Sequence, residues 1–113
     1  MTKTKLLGAA LLSVLASSAL AADPSILVQS TTSTQNSGFY DYILPIYKSE
    51  TGVTVNVVAV GTGQAIKNAQ NCDADVLLVH AKAAEEKFVA DGFGVARSDL
   101  MYNDFVILSL IHI

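Results

Sequence analysis

The chain has 113 residues, 51% of them hydrophobic, with 7 basic against 10 acidic side chains and a net charge of −3. An acidic chain with no basic stripe and no aromatic-basic interleaving lacks the electrostatic footprint of a nucleic-acid binder, so nucleic acid is not expected as a partner. Cys72 is the one cysteine, which excludes an intrachain disulfide; without a His or Cys at metal or catalytic spacing it reads as a structural, partly buried thiol.

Residues 1–21 read as a signal peptide. Lys3 and Lys5 form a positive start, Leu6 to Leu20 is apolar or small, and Ala19-Leu20-Ala21 offers a small-x-small cleavage site. The apolar run is shorter than the ~20 residues of a spanning helix and is broken by Ser13, Ser17 and Ser18. Cleavage after Ala21 implies a periplasmic location, and loss of Lys3 and Lys5 deepens the charge from −3 to −5. An anionic ligand would then have to be held by local dipoles against an unfavourable overall field.

Ile26 to Gln29 is a short apolar strand, and Ser30-Thr31-Thr32-Ser33-Thr34-Gln35-Asn36-Ser37-Gly38 follows as a hydroxyl-rich turn into a helix beginning near Asn36. Ser and Thr there can do one of two things. They can cap the helix, or they can add O–H donors to the free N–H groups of a helix start and wrap an anion. Phe39, Tyr42, Ile43, Ile46 and Tyr47 recur at the spacing of a helix face packed on a sheet. Pro45 is expected to kink or restart that helix, and Thr51-Gly52 to end it.

Val53 to Val60 is a β-branched run suited to a strand covered on both faces. Gly61-Thr62-Gly63 then turns into a helix over Gln64 to Gln70, which places a second set of backbone N–H groups at a strand-to-helix junction. A lone Gly-x-Gly also fits a plain connecting turn. After the polar connection Asn71 to Ala74, Asp75 to His80 reads as a third strand and Lys82 to Ala90 as a helix. Its Ala83, Ala84, Phe88 and Val89 are expected inward, with Glu85 and Glu86 on a solvated face. His80 reads as a hydrogen-bonded structural residue, since no second ligand stands at metal spacing. Phe93 to Val95 could add a short strand, Arg97 to Leu100 a turn, and Asn103 onward a further strand.

Leu108 to Ile113 reads as the translation of a library adapter, so residues 108–113 are expected to be a non-native tail. The order βαβαβα over residues 22–107 implies a three-layer α/β unit with ligands at the carboxyl ends of its strands. No nucleophile-base pair, Walker lysine or metal constellation accompanies the turns, so neither an enzyme nor a cofactor is expected.

Four segments carry a family resemblance: Ser30 to Gly38, Val58 to Ala65, Asp73 to Ala81 and Met101 to Val106. Together they resemble the tungstate-binding periplasmic component of ABC transporters, the TupA family. Its Thr-Thr-Thr-Ser anion motif falls on Ser30, Thr31, Thr32 and Ser33, with Ser30 keeping a hydroxyl in place of the usual Thr, while Lys82 stands where the family often has Pro. The resemblance implies the first lobe of a type II periplasmic binding protein, with a mostly parallel sheet and the second lobe missing. It further implies a monomer that takes tungstate or molybdate and docks on the membrane permease of the transporter. Ser30, Thr31, Thr32, Ser33, Thr62 and Gly63 are the expected oxyanion ligands. Arg97 is given no ligand role and reads as a surface or lobe-stabilising residue. A binding protein for molybdate, phosphate or another small anion, and an inactive truncated fragment, are the alternatives.

Overall fold

The structure is a computed structural model, and it describes residues 22–104. The signal peptide over 1–21, the tail over 108–113 and the strand expected beyond Asn103 fall wholly or mainly outside those residues. Three parallel strands, β1 (Ser25–Thr31), β2 (Thr54–Val60) and β3 (Val76–Leu77), form a sheet of order β2-β1-β3. Four helices connect or follow them: α1 (Thr32–Asn36), α2 (Phe39–Thr51), α3 (Thr62–Gln70) and α4 (Lys82–Ala90). The expected α/β class and parallel sheet are present.

β1 is central, and its last four residues, Val28, Gln29, Ser30 and Thr31, are all buried. Successive side chains of a strand point to opposite faces, so burial of both parities requires cover on both sides. Polar partners identify the two covers. Ser30 reaches Tyr40 on α2, whereas Gln29 accepts from Asn68 Nδ2 on α3 at 3.0 Å. The two helices therefore lie on opposite faces of the sheet, as right-handed crossovers leading from β1 to β2 and back past β1 to β3 require.

The Gln29 side chain is a latch. Its Oε1 accepts from Asn68 Nδ2 and its Nε2 donates to the Asp73 carbonyl, each at 3.0 Å, which fixes both α3 and the loop that leads to β3. Asn68 Oδ1 in turn accepts from Gln64 Nε2 at 2.6 Å. A buried amide with these partners satisfied stabilises the packing; left unpaired it would cost about 1–3 kcal/mol.

Several local expectations are corrected. The hydroxyl-rich segment is not a single turn: Ser30 and Thr31 complete β1, Thr32 starts α1, and Gly38 at φ 80° separates α1 from α2. Pro45 does not restart α2, which runs on to Thr51; Pro45 and Asp41, whose carbonyl loses its partner, both lie on the exposed side where water can serve. The buried face of α2 is also not the expected stripe. Tyr40 is buried with Ile43 and Leu44 half-buried, while Tyr42 is 73% exposed, because the Tyr40 hydroxyl finds Ser30 inside.

β2 is an edge strand with Val58 exposed, so it is not covered on both faces. β3 is shorter than Asp75 to His80: its ladder is flanked by Asp75 N–H to Leu27 O and Leu78 N–H to Gln29 O, both 2.9 Å, after which Val79 and His80 leave toward α4. No strand forms over Phe93 to Val95. The Phe93 N–H instead bonds the Phe88 carbonyl at 3.1 Å, and Gly94 lies so close under the Phe88 ring that a Cβ would come within 3.0 Å of it. α4 has the expected bounds, but Ala83 is exposed and Glu85 half-buried, and Cys72, expected to be partly buried, is exposed.

Candidate functional site

Parallel strands in register bring their carboxyl ends to one edge. Thr31 lies opposite Val60, so the first turn of α1 and the first turn of α3 start side by side about one strand spacing apart. The crossover from β1 leads to β2 on one side, whereas the strand on its other side, β3, runs on toward α4, so the chain leaves the adjacent ends of β1 and β3 in different directions. A crevice opens at such a switch point. Its lining on the β3 side is the segment from Leu78 to His80.

Four of the expected site residues lie at this edge. Thr32 and Ser33 are exposed in the first turn of α1, and Thr62 and Gly63 are the first two residues of α3. The first intrahelical bond at this end is Ala65 N–H to Gly61 O at 2.9 Å, so the N–H groups of Thr62, Gly63 and Gln64 precede the ladder. Gly61, the N-cap, supplies no side-chain bond to them. They point, with the positive end of the helix dipole, toward whatever lies beyond the edge.

Thr31 and Ser30 have other duties. Thr31 is 2% exposed and is the N-cap of α1: its Oγ1 accepts from the Thr34 N–H at 3.4 Å and meets Thr34 Oγ1 at 2.8 Å. Ser30 is fully buried and donates to the Leu78 carbonyl at 2.8 Å while bonded to the Tyr40 hydroxyl. Both hydroxyls are turned into the lobe, where they hold the crevice walls. Burial pushes the Tyr40 phenol above its ordinary range, partly offset by the Ser30 bond.

The start of α4 is chemically different from that of α3. The Ala81 N–H donates to Glu85 Oε1 at 3.0 Å, and Glu85 Oε2 accepts from Arg97 Nε at 2.7 Å. A carboxylate from the helix itself thus occupies this positive end. Arg97 also donates to Asp99 Oδ1 at 2.7 Å, and this bond with its charge holds the Asp99 carboxyl below its usual range. Arg97 is therefore spent on the lobe, in keeping with the stabilising role expected for it. Glu85 is not part of a solvated face; Glu86, exposed and 4.0 Å from Lys82, is.

His80 is the residue whose place the sequence concealed. Its Nε2 stands 3.2 Å from Ser33 Oγ, across the switch point between β1 and β3. The signal available was its position at the end of the third strand, which a parallel sheet carries to the same edge as the first hydroxyl cluster. Among the described residues no group of three or more His, Cys, Asp or Glu is placed to hold a metal ion, and no helix is long and apolar enough to cross a membrane. The chemistry on offer at the edge is a neutral array of O–H and N–H donors beside one imidazole.

Residues 17–109 match a family model described as a PBP superfamily domain. The chain is 56% identical over 84 residues to the tungstate-binding protein TupA of Peptoclostridium acidaminophilum, an alignment covering 74% of this chain and 29% of that protein. Among solved structures it is similar to the tungstate binding protein TupA from Desulfovibrio alaskensis G20, with a TM-score of 0.70 and 52% identity over 72% of this chain and 32% of that one. A structure described as the tungstate ABC transporter from Geobacter sulfurreducens gives a TM-score of 0.67 and 52% identity, over 71% of this chain and 34% of its own. The chain thus spans about three tenths of the length of the curated relative.

Proposed function

The chain belongs to the PBP superfamily, and from that premise we propose that it forms the oxyanion-holding lobe of the periplasmic tungstate-binding component of an ABC transporter. One observation carries the reading: the exposed hydroxyls of Thr32 and Ser33 adjoin the N-terminus of α3, whose N-cap gives no side-chain bond. A fully ionised tetrahedral oxyanion accepts hydrogen bonds and donates none. Thr32, Ser33 and Thr62 supply O–H donors, Thr62 and Gly63 supply N–H donors, and Ser30 and Thr31 fix the walls that carry them. The names of the relatives, tungstate-binding proteins at 52–56% identity, support tungstate as the cargo. Molybdate, of the same charge and shape, is the accompanying ligand.

In this reading residues 1–21 direct export, residues 22–107 build the lobe, and the tail over 108–113 has no part in it. The protein acts as a monomer, hands its ion to the membrane permease and performs no chemistry on it. Selection against sulfate and phosphate falls to the size of the cage and the placement of its donors. Isothermal calorimetry of the full-length protein tests the proposal. Thr32→Ala is expected to weaken tungstate binding about tenfold or more, the share of one hydrogen bond to a charged group. Phosphate should not displace tungstate at equal concentration. Unchanged affinity in both Thr32→Ala and Ser33→Ala would move the site elsewhere.

A further inference from the structure

Ser33 has one proton to give and two neighbours within reach: Thr31 Oγ1 and His80 Nε2, each at 3.2 Å. In a neutral imidazole Nε2 can be an acceptor, and the Ser33 proton is then drawn to the ring and away from the crevice. In the imidazolium both ring nitrogens donate. Nε2–H then gives to Ser33 Oγ, and the Ser33 proton is released toward the edge where Thr32, Thr62 and Gly63 converge. His80 is exposed, so both solvent protons and a bound anion can reach it.

We propose that His80 is an affinity-tuning contact of the oxyanion site, which on protonation stops competing for the Ser33 proton, leaves that donor wholly to the ligand and adds a positive charge beside the dianion, so that capture tightens as pH falls. The inference rests on the oxyanion reading of this edge. Around His80, α1 brings Ser33 and Thr34. α4 brings Lys82, Glu85 and Glu86, the following segment brings Arg97 and Asp99, and Asp75 leads into β3. Each of these carboxylates already has a partner: Glu85 and Asp99 have Arg97, Glu86 has Lys82, and Asp75 accepts from the Leu27 N–H at 2.7 Å. The partner that the structure gives the imidazole is the Ser33 hydroxyl, at the edge proposed to hold the anion. An unperturbed imidazole is the side chain whose charge changes between pH 5 and 8.

The test is calorimetric titration of the full-length protein with sodium tungstate at about pH 6 and about pH 8. The wild-type protein is expected to bind about fivefold tighter at the lower pH. His80→Gln, which keeps a polar side chain without a titrating one, and His80→Ala should both bind with an affinity that does not change between the two. A flat wild-type response, or the full slope retained in His80→Gln, overturns the inference and leaves the oxyanion reading standing. No tungstate binding by the wild-type protein at either pH overturns both.

Discussion

Ser30 donates its hydroxyl proton to the Leu78 carbonyl at 2.8 Å, so the last buried turn of β1 is tied directly to the segment that leaves β3 for the opposite wall of the crevice. Tyr40 closes the same knot from α2. Three elements far apart in sequence are thus fixed to one another just beneath the candidate site. Ser30→Ala removes the shared hydroxyl and leaves the Tyr40 phenol and the Leu78 carbonyl unpaired in a buried place. The expected loss is about 1–3 kcal/mol by urea denaturation. In a double-mutant cycle Tyr40→Phe should recover part of it, because the second substitution takes away one of the orphaned groups. Strict additivity of the two substitutions would contradict the knot.

The same phenol sets an alkaline limit on stability. Burial raises its folded pKa above the unfolded value of about 10. A raised pKa means that the neutral form is favoured in the folded state. Its contribution is therefore whole below about pH 10 and is lost as pH climbs through the folded value. Urea midpoints measured from pH 9 to pH 11.5 should fall more steeply for the wild-type protein than for Tyr40→Phe; equal slopes would place the limit on another group.

On the proposed site, a substitution at Gly63 would separate ligand binding from folding. A Cβ built there meets nothing within 4 Å, and the residue is the second of α3 with no positive φ. Gly63→Ala should leave the melting temperature unchanged or slightly raised, since Ala favours a helix over Gly by up to about 1 kcal/mol. A methyl group beside the N–H donors would crowd an anion seated on them. Tungstate affinity is therefore expected to drop about tenfold while the fold is kept, a split that circular dichroism and calorimetry on the same sample can read.

Gln29 and Asn68 carry the other face. Asn68→Ala deprives Gln29 Oε1 of its donor and should cost about 1–3 kcal/mol. Gln29→Leu removes the buried amide altogether but frees the Asp73 carbonyl and Asn68, so it too should destabilise. The pair should couple in a cycle by at least about 0.5 kcal/mol. Independent effects would mean that the latch does not hold α3.

Much of this lobe is legible in the residues themselves. The β-branched run before Gly61, the glycine at Gly52 and the pattern from Lys82 to Ala90 announce their elements, because local propensity and termination agree there with the tertiary outcome. The candidate site is legible in part. Thr32, Ser33, Thr62 and Gly63 stand at strand-to-helix junctions, and parallel strands put such junctions at one edge without further information. Ser30 and Thr31 read the same as their neighbours in sequence, yet strand alternation and the cap of α1 turn both inward.

What the sequence determined by itself was the order of elements and the hydroxyl and glycine chemistry at their junctions, since spacing, caps and turn residues act over a few residues. Only the tertiary structure decided which hydroxyls are spent on the core, which face of α2 is buried, and that His80 meets Ser33. Those choices depend on partners 10 and 47 residues away, Tyr40 for Ser30 and His80 for Ser33. A hydrogen bond across such a gap exists only once the sheet has set its register and brought the two ends together.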